Sequence, residues 1–147
     1  MHIEIDQSGK IEDTSHDTVV AFSNDVNHSV VMRARDKRRV EAIFRRMGKR
    51  RVFMYKLFAI LVFLLIKPYL ARIDVMVIDT EYPDWEHLIK DYLLRLIRRV
   101  RPSFDARRIS FRSVGRHSGA HAIANGTARG EMAYGREASL REVMQYV

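Results

Sequence analysis

Cysteine is absent from this chain of 147 residues, which excludes a disulfide framework and any thiolate metal site and leaves nothing that argues for secretion. Proline is scarce, with 3 residues, and the 7 glycines are scattered. No linker, low-complexity tract or internal repeat breaks the chain, so it is expected to be one domain spanning 1–147. The longest unbroken apolar run, Leu57 to Ile66, is ten residues, half of the roughly 20 that a bilayer requires. Lys56 and Lys67 bracket it, and a buried core helix with no membrane contact is expected. The opening residues Met1 to Asp6 alternate in polarity instead of forming an apolar block, so no signal peptide and a cytoplasmic location are expected. Glycine-rich phosphate loops are also missing. Neither a Gly-x-Gly-x-x-Gly after a strand, nor a loop lysine, nor a serine elbow occurs, and nucleotide cofactors and serine-hydrolase chemistry are unsupported.

Positive charge is abundant. Lys plus Arg number 26 against 18 Asp plus Glu, for a formal charge of +8 and an isoelectric point near 10.1. Such a field attracts polyanions, and nucleic acid is the commonest of these inside a cell. The charge is clustered. One group runs from Arg33 to Arg51 and includes Arg38, Arg39, Arg45, Arg46, Lys49, Arg50 and Arg51; another runs from Arg95 to Arg116 and includes Arg112 and Arg116. Arginine dominates both, which suits bidentate phosphate contacts. These named residues are the candidate nucleic-acid contacts. Solubility is the plainer use of a basic surface.

The apolar pattern orders the elements. Ile3 to Asp6, Thr18 to Phe22 and Ser29 to Met32 alternate with period two between turn-rich segments, predicting three consecutive antiparallel strands. Asp36 is a candidate cap for a helix from Lys37 to Met47, closed by Gly48. A second helix is expected from Val52 to Ile66. Ile73 to Asp79, apolar on both faces except at Asp74, predicts a central strand. A helix starting at Pro83 or Asp84 carries Trp85, Leu88, Ile89, Tyr92, Leu96 and Val100 at helical spacing and ends before Pro102, so Trp85 and Tyr92 are expected in the core rather than as base-stacking platforms. Ile109 to Val114 is a fifth strand and Ser118 to Ala128 a helix. Ser139 with Glu142 forms a capping box for a last short helix.

Hairpins followed by alternating helices and strands describe an α/β fold with a mixed five-stranded sheet flanked by helices. Right-handed crossovers place the fourth strand beside the first and parallel to it. Asp6 and Asp79 then meet where the two strands end, in the kind of crevice that binds ligands in open sheets. Carboxylates there, under a basic rim, suit a divalent metal and a phosphodiester.

This order and these residues resemble the ribonuclease H-like superfamily of nucleases, resolvases and transposases. The opening Ile3-Glu4-Ile5-Asp6-Gln7-Ser8-Gly9 is similar to the first-strand motif of an uncharacterised prokaryotic family within it, which usually reads Ile-Asp-Glu-Ser-Gly; Gln7 stands where that motif has glutamate. The resemblance implies one or two Mg2+ or Mn2+ ions held by Asp6 and Asp79, completed by His121, or less well His117, from the last long helix. It also implies a carboxylate from the first helix, for which only Glu41 offers itself. On that reading Asp6, Asp79 and His121 carry catalysis, with His121 as a ligand or proton shuttle, and Glu81 lies behind the ligands rather than among them.

Each acid has a plainer use. Asp6 can open the turn at Ser8-Gly9, and Asp79 and Glu81 can favour the start of the following helix. His117 and His121 are one helical turn apart but lack the glutamate of a zinc-protease motif. Three functions follow in order of preference: a metal-dependent nuclease or related phosphoryl-transfer enzyme acting on DNA or RNA, a non-catalytic nucleic-acid-binding module of the same fold, and an interaction protein, dimeric in one version, that uses the apolar segment as a partner surface.

Overall fold

The computed structural model describes residues 1–24, 26–114, 119–128 and 135–147. Three strands come first: β1 (His2–Ser8), β2 (Thr18–Ser23) and β3 (Asn27–Met32). Two helices follow, α1 (Ala34–Arg46) and α2 (Arg50–Ile66), and a 3-10 turn over Lys67–Arg72 leads into β4 (Val75–Asp79). Then come α3 (Glu86–Val100), β5 (Ile109–Arg112), α4 (Gly119–Ala128), β6 (Arg136–Glu137) and α5 (Leu140–Met144). The sheet order is β5-β4-β1-β2-β3-β6. β1, β2 and β3 are antiparallel neighbours, whereas β4 joins β1, and β5 joins β4, in parallel. This is the mixed α/β sheet that the hairpins and alternating elements predict. A sixth strand is added: two-residue β6 pairs in parallel with the outer side of β3, too short to leave a periodic signal.

The pleat sorts the residues into two unlike faces. Ile3, Ile5, Val20, Phe22, Val30, Met32, Met76 and Ile78 point to one side and enter the main core. α2 packs on that side against β2 and β3, with α1, α3 and α5 beside it. Every residue from Leu57 to Ile66 is buried, so the helix is apolar all round because it is covered all round. Arg50–Arg72 is long and apolar enough by composition to cross a bilayer, yet its central residues are packed inside the domain as expected of a core helix. Full burial of each large aliphatic or aromatic side chain contributes about 1.5–3 kcal/mol, and this helix dominates the core.

The other face carries Asp6, Ala21 and Ser29 in one cross-strand row. Among the described residues α4 lies across it, over β1, β2 and β3. Small side chains admit the helix closely: a Cβ on Gly119 would stand 2.6 Å from Ser23 Oγ.

Helix ends follow local rules with one exception. Gly48 adopts φ +69°, and its N–H donates to the Arg45 carbonyl while Lys49 N–H donates to that of Phe44, the glycine stop expected after α1. Ser139 Oγ accepts from Glu142 N–H at 3.1 Å, but the Glu142 carboxylate turns to Arg136 at 2.7 Å instead of closing the box. Asp36 does not cap α1. The helix starts earlier, at Ala34, and Asp17 supplies the cap: its Oδ1 accepts from Ala34 N–H at 2.8 Å and its Oδ2 pairs with Arg33 at 2.9 Å. A carboxylate arriving from before β2 outcompetes the local one, and Asp36 is left within the first turn.

Candidate metal centre

The parallel pairing of β1 with β4 builds the site. Ile5 is level with Ile78, so the next residues, Asp6 and Asp79, come level at the carboxyl ends of two adjacent inner strands. Both project to the α4 face, opposite the apolar face of Ile5 and Ile78. Glu81 follows Asp79 by two residues and joins them. One ligand oxygen from each of Asp6, Asp79 and Glu81 lies within 4.8 Å of the others, with Asp6 buried and the other two half-buried. The expected pair is brought together, and Glu81 belongs to the group instead of standing behind it.

Each carboxylate is oriented. Asp6 Oδ1 accepts from Gln7 N–H at 2.8 Å, and its Oδ2 from His121 Nδ1–H at 2.8 Å. The amide of Asn125, one turn along α4, donates to His121 Nε2 at 2.8 Å. An amide NH2 only donates, so Nε2 is the acceptor and the ring proton sits on Nδ1, directed at Asp6. Asp79 Oδ1 accepts from Val114 N–H at 2.6 Å, which anchors it to the chain just beyond β5. Below Glu81, on the opposite face, the Gln7 amide donates to the Tyr82 hydroxyl at 2.9 Å and Ile11 N–H to the same oxygen at 3.0 Å. Residues 7 and 82 are thereby tied together on the core face, beneath the acids.

The charge is not neutralised internally. Burial raises the Asp6 carboxyl above its ordinary range, against the hydrogen bonds from His121 and Gln7, with the Asp79 charge adding to the rise. Glu81 is pushed up to about 8, first by burial, then by its hydrogen bond to Asp79 and by the charges of Asp79 and Asp6. At neutral pH Glu81 therefore holds a proton and donates it to Asp79. Among the described residues no lysine or arginine pairs with any of the three acids, and His121 meets Asp6 through a hydrogen bond. Clustered oxygen ligands carrying uncompensated negative charge are the donor set of a hard divalent cation. The acidic triad could hold such an ion.

Other candidates are placed elsewhere. Glu41, on α1, pairs with Arg45 at 2.9 Å and is not among the clustered acids. His121 touches Asp6 without joining the three clustered ligands. His117 and Arg116 lie outside the described residues. Arg112 is level with Asp79 on the neighbouring strand, exposed and on the same face. Arg39, Arg46, Lys49, Arg50 and Arg51 are exposed on the α1–α2 layer, where Arg38 donates to the Thr14 carbonyl at 2.8 Å. That layer covers the face opposite the acids. Tyr92 is buried and Trp85 half-buried against the core, as their spacing indicates.

Asn125 had no expected role, although its i, i+4 spacing from His121 on a helix is a readable sign of a side-chain pair. Glu81 was legible as a nearby acid, but it enters the cluster only because the chain turns sharply past the end of β4, where Glu81 N–H donates to the Asp79 carbonyl at 3.0 Å. Compared with family models, curated proteins and solved structures, the chain matches none.

Proposed function

We propose that this protein is a metal-dependent nuclease or related phosphoryl-transfer enzyme of ribonuclease H-like architecture that acts on nucleic acid. The observation that carries the reading is the convergence of Asp6, Asp79 and Glu81 within 4.8 Å at the ends of two parallel inner strands. The sheet order and the hairpins that precede the parallel strands are compatible with that architecture.

Asp6, Asp79 and Glu81 would hold Mg2+ or Mn2+, whose chemistry in such sites is to activate water and stabilise charge on phosphoryl oxygens. The protein's own part is positional. Gln7 N–H and His121 fix the two oxygens of Asp6, Val114 N–H fixes Asp79, and Asn125 sets the tautomer of His121 so that its proton faces the carboxylate. His121 orients Asp6 in this arrangement. Glu81 would have to give up its proton for a cation to bind there, which would couple binding to pH. Arg112, on the same face, is the basic residue placed to meet a phosphate beside the acids.

Purified protein incubated with labelled DNA and RNA, with and without Mg2+ or Mn2+, tests the proposal. Divalent-dependent cleavage that disappears in Asp6→Asn and Asp79→Asn supports it. A second reading, a non-catalytic nucleic-acid-binding module, is favoured by the position of most candidate arginines on the layer opposite the acids. Salt-sensitive binding by the wild type with no cleavage under any divalent ion would select it.

A further inference from the structure

We propose that the seam between α2 and α3 is a nucleic-acid docking groove, separate from the acidic triad and independent of any metal. A shallow, open depression of about 540 Å3 on the outer side of α3 is lined by Arg95, Arg98 and Arg99 with Leu94 and Asp91. A smaller one of about 150 Å3 continues it along Tyr55, Lys56, Tyr92 and Arg95. The cations form a row. Lys56 Nζ and the Arg95 guanidinium stand 5.0 and 5.9 Å from the centre of the Tyr92 ring, and Lys49 and Arg95 are both near enough to Lys56 to act on its charge.

The row lacks acidic partners. Four arginines elsewhere make ion pairs, Arg33 with Asp17 and Glu137, Arg45 with Glu41, Arg107 with Asp105 and Arg136 with Glu142, while others, Arg39, Arg46, Arg50 and Arg112 among them, make none among the described residues. Among the described residues Lys49, Lys56, Arg95, Arg98 and Arg99 make no ion pair at all, although Asp91 lies in the same groove. Burial, and then repulsion from Lys49 and Arg95, holds the Lys56 ammonium below its ordinary range, so incoming negative charge is favoured there. Arg98 is held in place by its Nε–H donating to the Phe104 carbonyl at 3.2 Å.

Nucleic acid fits this groove better than other polyanions. Arginine forks match phosphate, and the charges are strung along one face of α3 beside its seam with α2, as phosphates are along a strand. Tyr55, half-buried and backed by Trp85 at 5.8 Å, lines its end and offers aromatic surface for a base.

Fluorescence anisotropy with a labelled single-stranded oligonucleotide and the matching duplex, in EDTA to prevent cutting and over a range of salt, measures the docking. For Lys56→Gln/Arg95→Gln/Arg99→Gln the expected result is a Kd raised at least about tenfold and a log–log salt slope shallower by about 2 to 3. Arg107→Gln, which removes one charge from an ion pair elsewhere, is expected to leave both unchanged. If the triple variant does not melt cooperatively, Arg99→Gln, at an exposed residue, carries the test with a slope change of about 1. Unchanged affinity and slope overturn the proposal. So does wild-type binding that is tighter to anionic phosphatidylglycerol vesicles or to polyglutamate than to either oligonucleotide. Asp6→Asn is expected to bind as the wild type in EDTA, so failure of docking and failure of the nuclease reading are separable.

Discussion

The two faces of the sheet are built from opposite materials. On one side, α1, α2, α3 and α5 bury an apolar layer and display arginine on its outer surface. On the other, among the described residues, α4 covers a row of small and polar residues and leaves carboxylates partly uncovered at one end. Stability is concentrated where apolar area is largest, and chemical potential where it is smallest. A thick core tolerates an electrostatically costly cluster on the far face because the cost falls on residues that contribute little packing. The division also separates charge: uncompensated acid lies at the strand ends, and uncompensated base lies along helices two layers away.

Substituting the acids should break the comparison most severely. Asp6→Asn or Asp79→Asn is expected to abolish divalent-dependent cleavage while leaving nucleic-acid affinity in EDTA intact, measured by gel assay and anisotropy on the same preparations. A loss of both together would mean that the two faces do not act separately. Next in size, His121→Ala and Asn125→Ala are expected to weaken Mn2+ binding by about 10- to 100-fold, the usual effect of removing a group that orients a ligand. Isothermal titration measures it. Unaltered Mn2+ affinity in both would show that the hydrogen bonds to Asp6 serve only the packing of α4.

The pH dependence sharpens the contrast further. Glu81 is held at about 8 in the folded protein against an ordinary value of 4.5. Below the lower value both states carry the proton; between the two only the native state does, so this group's contribution to stability falls as pH rises toward 8. Metal-free protein is therefore expected to melt at lower temperature at pH 8 than at pH 6. Glu81→Gln should flatten that slope, and Mn2+ should raise the melting temperature more at pH 8, since it displaces the proton. An identical slope in wild type and variant would remove Glu81 from the explanation. The smallest effect is expected at the start of α1, where Asp17→Ala removes a helix cap at a cost of about 1 kcal/mol, read by chemical denaturation. Asp36→Ala, the locally plausible cap, should cost much less.

Much of the fold was legible because burial leaves a period. The alternation of Ile3 and Ile5, the doubly apolar strand before Asp79 and the stripe from Trp85 to Val100 each located an element within a few residues. β6 escaped because two residues carry no period, and the cap of α1 was misread because Asp17 acts across seventeen residues of chain, beyond any local rule. At the site, Asp6 and Asp79 could be paired from strand order alone. The company they keep could not: Glu41 was on the wrong layer, and Glu81 and Asn125 gained their places from how the chain leaves β4 and how α4 crosses β1.

Composition and periodicity by themselves determined a cysteine-free, strongly basic α/β chain with an apolar central helix and two strand-end aspartates, because hydrophobic pattern and charge are local properties that survive in one dimension. Only the tertiary structure decided that a third carboxylate joins the cluster, that His121 faces Asp6, and that the candidate arginines of α1 and α2 lie across the sheet from the acids while Arg112 lies beside them. Those are distances between segments far apart in the chain, and they are set by strand register and helix packing rather than by any residue's own preference.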